Sequence, residues 1–244
     1  MNGVSPTGLP SVALRIEAVR ARLAQACQAA GRPEHTVRLL AVSKTFGPEA
    51  VLQAVQAGQT AFGENYIQEG VDKVLALRAA GHPELEWHCI GPIQSNKTRL
   101  VAEHFDWVHT VDRLKVAQRL SDQRPAHRPP LQVCVQVNVD GGVNKSGVAP
   151  GEVLALAAEV ARLPRLQLRG LMCIPEPAPS FEAQCAVFAE AHALFTTLQA
   201  QGLTVDTLSM GMSDDLEAAV ASGSTMVRVG SAIFGARTAA NRGV

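Results

Sequence analysis

Leu131-Gln132-Val133-Cys134-Val135-Gln136-Val137-Asn138 is the clearest strand in the chain. It is short, apolar and β-branched, and turn residues bound it. A helix fits from Gly151 to Leu163 after it, and a second strand from Gln167 to Cys173. Two strands with a helix between them make a parallel βαβ unit.

The alternation continues outward in both directions. Toward the N-terminus come a helix at Leu114 to Gln123, a strand at Trp107 to Val111 and a helix near Ser95 to Glu103. Before these lie a strand at Glu86 to Ile90, a helix at Ile67 to Ala80 and a strand near Thr60 to Phe62. A helix at Pro48 to Ala57 and a strand at Val37 to Ser43 precede them. A further helix from Ser11 to Ala30 opens the pattern, with Ser11 as its cap and Gly31 and Pro33 as its stop. Toward the C-terminus come a helix at Phe181 to Gln201, a strand at Thr204 to Met210, a helix at Asp214 to Ser222 and a strand at Thr225 to Val229. Eight strands with a helix between each and the next predict an α/β fold with a parallel sheet. The 244 residues come close to the ~250 typical of a closed eight-stranded barrel. We expect a single (β/α)8 TIM-type barrel with an additional N-terminal helix, residues 1–244 forming one domain. An open doubly wound sheet is the alternative, but no GxGxxG follows the first strand.

Composition narrows the function. Lys and Arg total 22 against 22 Asp and Glu, a formal charge of zero, which argues against a nucleic-acid binder. No apolar run is long enough to cross a bilayer, and Met1 to Pro10 lack the pattern of a signal peptide. The five cysteines are widely spaced with no CxxC pair, so they read as buried thiols in a reducing cytoplasm.

In a barrel, function collects at the C-terminal ends of the strands. Lys44 closes the first strand there and shares a face with Leu40 and Val42. Aimed into the mouth, its amine loses solvation and becomes a better nucleophile; taken alone, a lysine that snorkels to solvent is the simpler reading. Ser209-Met210-Gly211-Met212-Ser213 joins the seventh strand to a helix, and Gly230-Ser231 follows the eighth. Either turn alone is explained by helix capping, with Asp214 and Asp215 in a first helical turn. Together they occupy the two loops where barrels often hold a phosphate. Arg228 shares a face with Met226 and Gly230. It is either a core ion pair or a fixed donor to a ring nitrogen. A reactive lysine, a phosphate cradle and a partner for a pyridine nitrogen match pyridoxal 5′-phosphate (PLP).

At these residues the chain resembles the pyridoxal phosphate homeostasis proteins, a family related in fold to the N-terminal barrel of alanine racemase. The resemblance rests on Ala41-Val42-Ser43-Lys44, Phe62 to Glu69, Trp87 to Lys97, Val137-Asn138, Asn144 to Gly147, Gly170 to Met172, Leu208 to Asp215 and Val227 to Arg237. These blocks keep the family order and cover nearly the whole chain beyond the first helix. Ser231 stands where Thr is common, and Cys89 where an aromatic residue is common. The resemblance implies that Lys44 forms the internal Schiff base. It implies that Ser209, Met212, Ser213, Gly230 and Ser231 hold the phosphate, partly through main-chain N–H groups. It places Arg228 at the pyridine nitrogen and Asn65 beside the ring. Lys145 matches a second family lysine, proposed to influence cofactor exchange.

Arg cannot accept a hydrogen bond, so a pyridine nitrogen facing Arg228 stays unprotonated and is a weak electron sink. That disfavours aminotransferase chemistry but not racemisation. The sole tyrosine, Tyr66, does not match the racemase base, and a lone His88 reads as a satisfied core group. We therefore expect a non-catalytic cytoplasmic monomer that holds PLP and releases it to acceptors such as apo PLP-dependent enzymes. A PLP-dependent racemase or decarboxylase is the alternative, and a sugar-phosphate barrel with an aldolase-type Lys44 is a third.

Overall fold

Short apolar strands alternate with amphipathic helices, and in the computed structural model the strands close on themselves. The structure describes residues 10–142 and 146–235. Helix α1 (Val12–Ala29) comes first, and Ser11 caps it as expected, its hydroxyl accepting from the Leu14 N–H at 3.3 Å. The repeating units are β1 (Arg38–Val42), α2 (Pro48–Gln56), β2 (Ala61–Glu64), α3 (Ile67–Ala79), β3 (Glu86–Cys89) and α4 (Thr98–His104). They continue through β4 (Trp107–Val111), α5 (Leu114–Gln123), β5 (Leu131–Gln136), α6 (Val153–Ala161), β6 (Leu166–Met172) and α7 (Phe181–Ala200). The last are β7 (Thr207–Ser209), α8 (Leu216–Ala221), β8 (Met226–Val229) and α9 (Ser231–Phe234). The strands form a closed barrel in sequence order, every neighbour parallel, with β1 beside β8 through Leu40 opposite Arg228.

The expected barrel is therefore present, with differences at element ends. β5 stops at Gln136 rather than Asn138, because Val137 bridges to Val148 of the following loop. β7 holds only Thr207–Ser209. Helix α8 starts at Leu216, since Asp215 is its cap residue. The one-turn α9 and 3-10 turns at Glu34–Thr36 and Pro150–Glu152 were not expected. These are one-turn features, below the length at which periodicity carries a signal.

The period of two divides the strands between two apolar layers. Ala41, Phe62, Trp87, Val108, Val133 and Leu208 face the helices in one continuous core. Leu40, Val42, Ala61, Ile90 and Met226 form a separate cluster, as do Trp107, Cys134 and Met172; these belong to the opposite, inward strand faces. Polar side chains share that interior: His88, His109, Ser209 and Arg228 are all buried. Of the five cysteines four are buried and Cys185 is half-buried. Burial pushes the thiols of Cys89 and Cys134 up to about 12, so both stay protonated and unreactive. No helix among the described residues is long and apolar enough to cross a membrane.

Candidate functional site

Above the inward-facing Leu40 and Val42, the chain leaves β1 through a tight turn that carries Lys44. Lys44 lies two residues past the strand's last residue, rather than closing it. The next residue, Thr45, has φ of 68°, a left-handed conformation unusual for a β-branched residue. Carboxylates and an ammonium hold the turn from behind. The Ser43 hydroxyl donates to Glu64 Oε1 at 2.6 Å, and the Thr45 N–H donates to Glu69 Oε1 at 2.6 Å. Lys73 of α3 ties these groups together, 2.7 Å from the Ser43 carbonyl, 2.8 Å from Glu64 and 2.7 Å from Glu69. Burial raises the Glu64 pKa, and Lys73 opposes that rise by charge and hydrogen bonding. Strain at Thr45 is thus sustained by a polar clamp on both sides of Lys44.

Lys44 opens onto a cavity of about 310 Å³ at the C-terminal ends of the strands. Val42, Phe46, Ile90 and Ile174 supply apolar walls, and Phe46 stacks on Phe234 with ring centroids 5.3 Å apart. The polar lining comes from Lys44, Asn65, Ser213, Asp214, Arg228 and Ser231. Asn65 follows β2, and Gly91 passes so close that a Cβ there would stand 2.0 Å from the Asn65 carbonyl oxygen. Only glycine permits that approach, which keeps Asn65 at the rim. The Asn65 side-chain oxygen Oδ1 is buried without a hydrogen-bond partner among the described residues, an acceptor in want of a donor.

Seven of the eight predicted residues line this one cavity: Lys44, Asn65, Met212, Ser213, Arg228, Gly230 and Ser231. Ser209 does not. It is fully buried beneath the cavity, where its hydroxyl accepts from Arg228 Nη1 at 2.8 Å and meets His109 Nδ1 at 2.9 Å. Its position as the last residue of β7 turns it into the barrel, where its hydroxyl bonds Arg228 and His109 rather than lining the cavity. Met212 lies in the cavity lining, after β7. Its N–H donates to Asp215 Oδ1 at 2.5 Å, so that main-chain donor is already engaged. Lys145 lies outside the described residues.

The two turns after β7 and β8 meet at their hydroxyls, Ser231 Oγ standing 3.3 Å from Ser213 Oγ. Ser231 opens α9, so the first N–H groups of that helix have no carbonyl a turn earlier to bond. On the outside, Arg22 of α1 holds the first turn in place, donating to the Ser213 carbonyl at 2.6 Å and pairing with Glu217. The N-terminal helix thus supports the site without reaching it.

Arg228 is fully buried and makes no ion pair with a described carboxylate. Its donors go to two neutral acceptors, the Ser209 hydroxyl at 2.8 Å and the Cys173 carbonyl at 2.9 Å. Burial lowers its pKa, although the guanidinium remains the charged form. The core ion pair considered from the sequence is absent among the described residues. Sequence reasoning missed His109 as Arg228's remote support, and it missed Lys73 and Glu69 as the clamp of the Lys44 turn. The only signal for the clamp was a Glu–Lys spacing of four on α3, which normally marks a solvated helix face.

These residues fit PLP. The cavity is of small-molecule size, it has an amine at one side and paired hydroxyls at another, and it contains an unpartnered acceptor and a buried cation. Residues 14–238 match the family model for the alanine racemase N-terminal domain. The pyridoxal phosphate homeostasis protein of Pseudomonas aeruginosa is 58% identical over 229 residues, covering 94% of this chain and 97% of that one. The same-named protein of Vibrio cholerae is 56% identical over 229 residues, covering 93% and 97%. The solved structure of PipY from Synechococcus elongatus with PLP bound is 36% identical, with a TM-score of 0.80, and covers 92% of this chain and all of PipY. On barrel, cavity and relatives alike, the chain belongs to the family of pyridoxal phosphate homeostasis proteins.

Proposed function

We propose that this chain binds PLP at the mouth of its barrel, attached to Lys44, and serves intracellular PLP homeostasis by holding the cofactor and releasing it to acceptors. The observation that carries this reading is the convergence of Lys44, Asn65, Arg228 and the Ser213–Ser231 pair on one cavity. Bound there, the cofactor supplies an aldehyde carbon that primary amines attack reversibly. Lys44 is the attachment point, and its clamped turn keeps the amine at the cavity wall. The Ser213 and Ser231 hydroxyls and the opening N–H groups of α9 take the phosphate. Asn65 Oδ1 gains a donor from the ligand, and Arg228 lies against the ring nitrogen and leaves it unprotonated.

The role is one of a carrier rather than a catalyst, in a cytoplasmic monomer of one domain. Two placements support this. Tyr66, the sole tyrosine, is 54% exposed and outside the cavity lining. His88 is buried in hydrogen bonds to Glu86 and His109, away from the ring. The acceptors are apo PLP-dependent enzymes or free amines.

The test is borohydride reduction of the PLP-loaded protein followed by peptide mass mapping. A pyridoxyl group on Lys44 is expected, and one on another lysine, or on none, would overturn the site. Turnover of free amino acids well above the protein-free PLP background would overturn the carrier role.

A further inference from the structure

The barrel interior holds a continuous line of polar side chains, most of which never reach the cavity. It begins at the foot of the barrel, where Arg38 Nη2 donates to Glu86 Oε1 at 2.8 Å and His88 Nε2 lies 2.7 Å from the same oxygen. His88 Nδ1 is 2.8 Å from His109 Nε2, and His109 Nδ1 is 2.9 Å from Ser209 Oγ. Arg228 Nη1 reaches that hydroxyl from above at 2.8 Å. Glu86 opens β3, and Ile90 beyond its end lines the cavity, so the line spans about 13 Å of strand. Trp107 stacks on His88 at an interplanar angle of 11° and holds the ring in register.

Burial disfavours the charged form of both histidines, and with the two rings neutral the ends set where every proton sits. A guanidinium cannot accept, so the Ser209 oxygen accepts from Arg228. The hydroxyl's own proton then goes to its other neighbour, His109 Nδ1. His109 must carry its hydrogen on Nε2, where it donates to His88 Nδ1. His88 in turn carries its hydrogen on Nε2 and donates to Glu86. An ionised carboxylate can only accept, so the far end demands the same direction. This arrangement is the one that two neutral imidazoles make. Burial lowers the pKa of each. It would raise Glu86, but the His88 and Arg38 donors hold that carboxylate at about 2.

We infer that Glu86, His88 and His109 are positioning residues: by drawing the Ser209 proton toward His109 they keep its lone pair open to Arg228, and so set the protein's selectivity for a ring nitrogen none of them touches. The inference rests on the placement of Arg228 against that nitrogen proposed above. Without the line, the Ser209 proton is free to turn toward the guanidinium, and the cation loses an oriented acceptor.

The full chain should be titrated with PLP and with 1-deaza-PLP, in which C–H replaces the ring nitrogen. The parent protein should prefer PLP by about tenfold or more, the size of a charge-assisted hydrogen bond. In His109→Phe and in Glu86→Ala that ratio should fall to about threefold or less, with both ligands still bound. Glu86→Ala is the milder change, at a side chain 32% exposed, and decides alone should His109→Phe not fold. Arg38→Ala, which removes Glu86's outer partner but leaves the line intact, should keep the parental ratio. A folded Glu86 or His109 variant that weakens both ligands equally, or neither, overturns the inference while leaving PLP binding in place. A parent protein without preference overturns the ring contact and the inference together, and one that binds neither ligand overturns the proposed function itself.

Discussion

Lys73 Nζ sits 2.8 Å from Glu64 Oε1 on the helix-facing side of the sheet, with the two side chains only 5% and 0% exposed. The pair lies beside the turn that carries Lys44 and joins it through the Ser43 carbonyl and hydroxyl. A buried pair of this kind adds little net stability over an apolar replacement, but breaking it is costly. Its value here is geometric, because it holds a strained turn in one conformation.

Lys73→Met should therefore destabilise the fold by about 3–5 kcal/mol, leaving the Glu64 carboxyl buried without its cation. The double variant Lys73→Met with Glu64→Leu should recover more than half of that loss. Urea unfolding of the three proteins measures both. A single variant with the parental midpoint would show the clamp to be energetically idle.

Arg228 separates binding from stability. It is a buried cation whose partners among the described residues are neutral, so the folded state gains little from it beyond two hydrogen bonds. Arg228→Met should leave stability within about 1–2 kcal/mol of the parent, yet weaken PLP binding by about tenfold or more through loss of a charged donor. Arg228→Glu should weaken binding further or move the bound-cofactor absorption toward a protonated ring. Unchanged affinity and spectrum in both variants would place the guanidinium away from the ligand.

His88 and His109 make stability sensitive to acid. Burial holds both below the ordinary value of 6.5, so the folded protein keeps them neutral while the unfolded chain protonates them. Stability is thus undiminished above about pH 6.5 and falls as the pH drops, at up to about 1.4 kcal/mol per pH unit for each histidine until its folded pKa is reached. Urea midpoints at pH 7.5 and 5.5 should show the loss, and His109→Phe should reduce its slope. Equal slopes in parent and variant would mean that His109 titrates normally.

Gly91→Ala should damage both fold and site. The added Cβ would stand 2.0 Å from the Asn65 carbonyl oxygen, so one backbone segment must move, at a cost of about 1–3 kcal/mol or more. Thermal unfolding should drop, and PLP affinity with it. A variant with lower stability but parental affinity would show that Asn65 is not needed at the rim.

The barrel was legible because its evidence is local. Strands such as Leu131 to Gln136 and helices such as α7 announce themselves through period and composition, and alternation with parallel strands leaves few ways to close the sheet. The cavity residues were legible for a related reason: strand ends and the turns after β7 and β8 have fixed places in a barrel. Ends set by hydrogen bonds to distant loops, as at Val137 and Val148, were not legible.

Sequence by itself determined the alternating α/β pattern of eight strands, Lys44 just past the first of them, and the family resemblance. Tertiary structure alone decided what stands behind those residues. Ser209 and Ser213 belong to one short motif, yet one is buried under Arg228 and the other faces the cavity. Glu69 and Lys73 have the spacing of a surface pair, yet they close on the turn of β1. Glu86, His88, His109 and Ser209 come from three strands and align only when the sheet curls shut. Periodicity reports which face a side chain takes, but hydrogen-bond partners depend on register and closure, which the chain sets only once it is packed.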